Sequence, residues 1–208
     1  MSAGTSRLRS FLRREPKQAR SRALVDSVLV AFDQLLRTLP DERHVTIERI
    51  LTRAGVSLGS FYEYFTDKDA LLGALVERAT RDNFQSLLAS YDENPPADIT
   101  AAIHFVSERV VDTYLVHPAR TRIWLAGIGR LQLLGMVVQE RDRFARELAT
   151  RASRLLPDRD EAELAHTMPT VCDAILGIVT GELYRSAPRP RHEVVAAMVA
   201  VCTSILGV

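Results

Sequence analysis

Catalytic signatures are missing from this chain of 208 residues: there is no GxSxG elbow, no phosphate-binding P-loop, no GxGxxG turn and no HExxH helix. The five histidines, His44, His104, His117, His166 and His192, are scattered without ligand spacing, so neither a metal nor a cofactor is expected and nothing asks for an enzyme. Cysteine is scarce. Cys172 and Cys202 lie 30 residues apart in apolar helical patterns, which suits small core residues better than a metal site, a disulfide or a redox sensor. No apolar run approaches the ~20 residues that cross a bilayer, and the N-terminus lacks the basic-then-apolar order of a signal peptide, so the expectation is a cytoplasmic protein without a membrane partner. Runs of β-alternation and internal repeats are also lacking. The net charge is only +1, too small for bulk charge to argue for nucleic acid.

The distribution of charge is more informative. Residues 1 to 22 hold Arg7, Arg9, Arg13, Arg14, Lys17, Arg20 and Arg22 against Glu15 alone, a net +6 that the other 186 residues offset with −5. Such a basic arm would add salt-dependent phosphate affinity beside a DNA-binding element and could reach a neighbouring groove, or it is a solvated, partly disordered tail. With 47% hydrophobic residues the remainder can bury a sizeable core. Pro16 suits a helix start, and Leu24, Val25, Val28, Ala31, Phe32, Leu35 and Leu36 keep a helical period up to Pro40. A long helix capped by Asp67 runs to the break at 92–98. Further helices are read at about 98–117, 119–136, 138–155, 159–186 and 191–206, separated at His117-Pro118, Gly135, Leu156-Pro157 and 186–192. The expected fold is all-α with about nine helices: an arm over 1–15, a three-helix head over 16–66 and a larger helical body over 67–208.

The densest pattern is Thr46 to Lys68, TIERILTRAGVSLGSFYEYFTDK. Thr46 sits at an N-cap position, and Ile47, Ile50, Leu51 and Ala54 form one apolar stripe. Gly55 can take the positive φ that reverses the chain, which lets Val56 drop between two helices, and Ser57 suits the cap of the second. On a helical wheel Leu58, Phe61 and Phe65 share one face. Gly59, Ser60, Glu63 and Tyr64 point the other way, with Tyr62 at the edge. Phe61 and Phe65 are read as core. This is a helix-turn-helix, a geometry that also occurs in proteins that never touch DNA.

The segment resembles the start of the TetR family of bacterial repressors, on AGVS, then Gly59, then Phe61-Tyr62-x-Tyr64-Phe65, then Lys68 and Leu71-Leu72. The resemblance covers Pro16 to Leu75. It implies that Thr46 contacts a phosphate, that Ser57, Leu58, Gly59 and Ser60 enter the major groove, and that Tyr62, Tyr64 and Lys68 hold backbone phosphates. Two positions depart from the pattern. Many members carry Lys where this chain has Leu58, which could instead pack on a thymine methyl, and Glu63 would either accept from a cytosine amino group or repel phosphate.

The last two helical segments are the most apolar. Met168, Val171, Cys172, Ile175, Leu176, Val179 and Leu183 form one stripe, and Val194, Val195, Met198, Val199, Val201, Cys202 and Ile205 nearly encircle the other. They form either an intramolecular core or, as the resemblance implies, a homodimer bundle that lets two heads span a palindromic operator. The resemblance also implies a small-molecule effector that shifts the long fourth helix and releases a repressor from DNA. Candidate pocket residues are polar or aromatic positions in apolar helices: His104, Phe105, Tyr114, Trp124, Met136, His166, Cys172 and Asp173. Asp173 would meet a cationic ligand or pair with an arginine such as Arg122, and Pro169 would kink its helix. A second reading, of another class, is a helical small-molecule-binding or catalytic protein whose head does not read DNA.

Overall fold

The structure, a computed structural model, describes residues 11–39 and 41–208. The arginines expected in the arm at Arg7 and Arg9, and the helix break expected at Pro40, lie outside the described residues. Among the described residues all regular structure is helical: α1 (Ala19–Thr38), α2 (Ile47–Ala54), α3 (Leu58–Tyr62), α4 (Lys68–Glu93), α5 (Ile99–Tyr114), α6 (Pro118–Arg130), α7 (Leu134–Leu155), α8 (Glu161–Leu183) and α9 (Arg191–Leu206), with a 3-10 turn at Glu42–His44.

The chain forms two compact units. The first contains residues up to Ala79 together with Ala119–Leu134, and the second contains Thr80–Pro118 and Gly135–Val208. In the first unit the apolar stripe of α1 supplies Val28, Leu29, Phe32 and Leu36, and these are buried with Ile50, Phe61, Phe65, Leu71 and Leu72. The division falls inside α4, not at 66/67 as expected. The opening turns of α4, with Leu71, Leu72, Ala74, Leu75 and Val76 buried, complete the core of the head and cannot be cut from it. Helix α6 joins the same unit: a Cβ on Gly127 would come 2.9 Å from Leu72, and Arg120, stacked over Trp124 at 4.3 Å, faces Asp33 at 3.5 Å.

In the second unit α9 packs against both α8 and α5. Its core holds Val106, Val111, Phe144, Leu148, Leu164, Val179, Leu183, Val194, Met198 and Leu206, and Phe84 stacks on Phe144 at 4.5 Å. The α8–α9 link is tied down by Glu182, a buried carboxylate that accepts from Arg185 Nε at 3.0 Å, Arg189 Nε at 2.8 Å and the Arg189 N–H at 3.2 Å. Burial alone would push Glu182 up, but those donors outweigh it and hold the carboxyl below its ordinary value.

Three expectations about the body need correction. The break expected at Gly135 falls at 131–133, where Gln132 takes φ 55, a left-handed conformation uncommon for a side-chain-bearing residue; Gly135 lies in the first turn of α7. One helix does have spanning length. By length and composition alone α8 could cross a bilayer, but Thr167, Thr170 and Asp173 interrupt any continuous apolar run. Asp173 is not embedded in apolar surroundings either. It is exposed and pairs with an arginine, as one of the two expected alternatives has it, the partner being Arg141 at 2.5 Å in place of Arg122. Both thiols are free, and burial pushes Cys172 up to about 12 and Cys202 up to about 11, so both remain protonated near neutral pH.

Candidate DNA-binding interface

Local capping builds the helix-turn-helix. Thr46 Oγ1 accepts from the Arg49 N–H at 3.3 Å and so starts α2. Gly55 ends it with φ 65 and ψ 33, its N–H donating to Leu51 O. Ser57 Oγ accepts from the Ser60 N–H at 3.2 Å and donates to Ser60 Oγ at 2.9 Å, which opens α3. Phe61 is fully buried and stacks on Phe65 with centroids 5.2 Å apart. A helix of five residues has almost no stability of its own, so these caps and this aromatic pair set its position.

The outward face differs from the helical-wheel expectation in two places. Leu58 is 55% exposed, although the wheel put it with the buried pair, because it opens the helix at the free end beside the turn. Tyr64 is only 5% exposed, although the wheel turned it outward. The reason is that α3 stops at Tyr62, so the 100° step does not reach residue 64. Ser57, Leu58, Gly59 and Tyr62 (40% exposed) therefore form the open end of α3, with Ser60 half-buried at its edge and Thr46 exposed at the start of α2. Lys68 is half-buried and turned to the 3-10 turn, where its ammonium donates to Glu42 O at 3.3 Å and lies 3.5 Å from Glu42 Oε1.

Two further cations of the head, Arg49 and Arg53, lie on α2 outside the residues expected to meet DNA. Arg49 donates to His44 O and Arg53 to Gln34 Oε1, both at 3.0 Å; these acceptors are neutral, so the guanidinium charges are not cancelled by them. The signal was a basic pair four residues apart on α2. Arg43, by contrast, is paired with Asp41 at 2.6 Å, and its hydrogen bonds bring the Asp41 carboxyl down to about 2. Residues 11–14 do not stand away from the head. The Arg13 N–H donates to Tyr64 O at 2.8 Å and its guanidinium to Tyr62 O at 3.0 Å. Arg14 pairs with Glu63, donates to the Tyr64 hydroxyl at 3.0 Å and lies 4.7 Å above the Tyr64 ring.

The candidate pocket residues differ in burial and are divided between the two units. Trp124 is buried in the first unit and the other seven belong to the second, where His104, His166 and Asp173 face solvent, Phe105, Tyr114 and Cys172 are half-buried, and Met136 is buried. His104 and Phe105 line a shallow open groove with Asp98, Thr100, Ala101 and Glu108. Two polar groups that the sequence reading missed are the Ser107 hydroxyl and the Asn83 amide nitrogen. Both are buried without a hydrogen-bond partner among the described residues.

Residues 43–75 match the profile of "Bacterial regulatory proteins, tetR family", a span that starts in the 3-10 turn and ends in α4. Across a longer stretch the chain is 30% identical over 166 residues to the HTH-type transcriptional regulator BetI of Cronobacter sakazakii, covering 75% of this chain and 77% of that protein. The chain belongs to the TetR family. BetI of Yersinia pestis (strain Pestoides F) is 26% identical over 180 residues, 83% of each chain. Among solved structures, a TetR-family transcriptional regulator from Mesorhizobium loti matches with TM-score 0.67 at 18% identity, covering 93% of this chain and 98% of its own. A TetR regulator from a Rhodococcus species gives 0.63 at 17%, covering 91% and 98%. This TetR-family protein is thus a DNA-binding transcriptional regulator with an all-helical fold and an N-terminal helix-turn-helix head.

Proposed function

We propose that this regulator acts as a homodimeric repressor that binds a palindromic operator through the open end of α3 and is released by a small molecule held in the second unit. The observation that carries the DNA contact is the joint exposure of Ser57, Leu58, Gly59 and Tyr62 on α3, in a head whose α2 also exposes the charged Arg49 and Arg53. Tyr62 and Thr46 reach phosphates, while Ser57, Leu58, Gly59 and Ser60 meet base edges. Tyr64 and Lys68 act at shorter reach, since the Tyr64 hydroxyl is taken by Arg14 and the Lys68 ammonium by Glu42.

Dimerisation through α8 and α9 is supported by their uncovered apolar surface. Leu176 and Val201 are exposed in spite of their apolar side chains. At Gly177 and Gly181 a Cβ would meet no described atom within 4 Å, which leaves a smooth strip four residues apart where a second helix can approach closely. An effector in the second unit is supported by Ser107 and Asn83, whose buried polar groups lack a described partner and would gain one from a ligand. Helix α4 contributes residues to both units and carries Asn83, so ligand contact there acts on a helix that also belongs to the head.

The test is binding of the protein to DNA flanking its own gene, followed by anisotropy at ~0.15 M salt. A tight, sequence-selective complex with two protein chains per site supports the proposal. A single chain per site, or equal affinity for unrelated duplex, defeats it.

A further inference from the structure

The segment Phe11–Arg14 crosses the far end of α3, 49 residues away in sequence, and each of its contacts addresses a different need of that helix. The final carbonyls of a helix lack intrahelical donors, and here the Tyr62 carbonyl is met by the Arg13 guanidinium while the Arg13 N–H meets the Tyr64 carbonyl just beyond. The ring of Phe11 lies against Gly73 so closely that there is no room for a Cβ at that position, which anchors the segment on α4. Arg14 then reaches Glu63, the carboxylate that directly follows the exposed Tyr62 in the chain, and also covers the Tyr64 ring and its hydroxyl. Glu63 is half-exposed, so an unpaired carboxylate there would project a negative charge from the end of the recognition helix toward approaching phosphate.

We propose that Arg14 is a positioning residue for DNA binding: it neutralises Glu63 at the end of α3, and it acts through Glu63 without contacting phosphate itself. This rests on the reading that α3 faces DNA. It also explains how the chain can carry an acid on that helix: the charge is answered in cis by the start of the chain. Part of the basic arm therefore corrects the head's own surface, so its positive charge is not all available to DNA.

The experiment is a double-mutant cycle with Arg14→Ala, Glu63→Gln and the pair together, in the full chain. Affinity for a mixed-sequence duplex of ~30 base pairs is measured by anisotropy across a salt series from ~0.05 M. Arg14→Ala is expected to weaken binding by about tenfold at the lowest salt, and Glu63→Gln to leave it unchanged or slightly tighter. In the Glu63→Gln background, Arg14→Ala is expected to cost less than about twofold, with no change in the slope of log K against log salt. Equal losses in both backgrounds, with the slope falling by about one, would make Arg14 a direct phosphate contact and overturn the proposal. So would an Arg14→Ala protein that binds as tightly as the wild type. Arg14→Lys, which keeps the charge but cannot stack and pair together, should fall between wild type and Arg14→Ala; binding as weak as Arg14→Ala would show that fit and not charge is at work, against the proposal. Failure of the wild type to bind any duplex at ~0.05 M salt would remove the reading of α3 itself, a separate outcome from the loss of coupling.

Discussion

Gly59 offers a direct separation of folding from function. It is the second residue of α3, it is absent from the two glycines with positive φ, and a Cβ added there would meet no described atom within 4 Å. The fold therefore makes no demand for glycine. Replacing it with alanine removes backbone entropy from the unfolded chain and improves helix propensity, which in a helix interior is worth roughly 0.5–1 kcal/mol. At the exposed first turn of a five-residue helix the gain should sit near the lower figure, about 0.5 kcal/mol, or a rise of about 2–4 °C if the first unit melts by itself. The same methyl would stand on the surface where backbone meets DNA. Displacing that approach by even a fraction of an ångström should weaken operator binding about tenfold, or about 1.4 kcal/mol. Differential scanning calorimetry and anisotropy on one preparation give both numbers. A Gly59→Ala protein that is more stable and binds equally well would take α3's open end out of the interface, and one that is less stable would refute the packing described for it. Gly55→Ala is the counterpart. It also has open space around it, but its φ of 65 makes the methyl cost roughly 1–2 kcal/mol in stability, with DNA affinity kept in the folded protein.

Other expectations follow from the second unit. Gly181→Leu, on the uncovered strip of α8, should leave far-UV circular dichroism unchanged and shift the protein from dimer to monomer in analytical ultracentrifugation; an intact dimer would place the interface elsewhere. Glu182→Gln should cost about 1–3 kcal/mol at neutral pH by weakening the bonds from Arg185 and Arg189, read from urea unfolding. The native pKa of Glu182 is depressed, so its contribution is complete above the ordinary value of 4.5 and is lost as pH falls through the depressed one. The stability gap between wild type and Glu182→Gln should therefore narrow below that pH, and a constant gap down to acid conditions would contradict the assignment.

What was legible in the sequence was what local rules govern. Thr46, Gly55, Ser57 and Asp67 each do at a helix end what their chemistry suits, and Asp67 Oδ1 accepts from the Ala70 N–H at 2.8 Å. Phe61 is buried on the face that the period of α3 gives it, and Phe65, past the end of α3, is buried as its stacking partner. The errors came where a local rule was carried past the end of its element. Tyr64 lies two residues past the end of α3, where the helical wheel no longer applies, and Leu58 sits in the open first turn, where the wheel does not bury it. The division at Ala79 was hidden because the apolar period of α4 runs on without a break from one unit into the other. The contacts of Arg13 and Arg14 had no local sign at all, since they depend on a chain crossing about 50 residues away, and Asp173 found Arg141 in the same non-local way. Ser107 and Asn83 are ordinary helical residues until the packing around them is known.

The central claim is that two copies of Thr46–Lys68 read two half-sites on one duplex. Hydroxyl-radical footprinting of the protein on the DNA adjoining its gene tests it most directly. The account predicts two protected segments related by dyad symmetry, with centres one or more helical turns apart, about 34 Å or a multiple of it, and both reduced to about half in Gly59→Ala at a concentration about tenfold above the wild-type Kd. A single asymmetric footprint, or protection that persists unchanged in that variant, would contradict it.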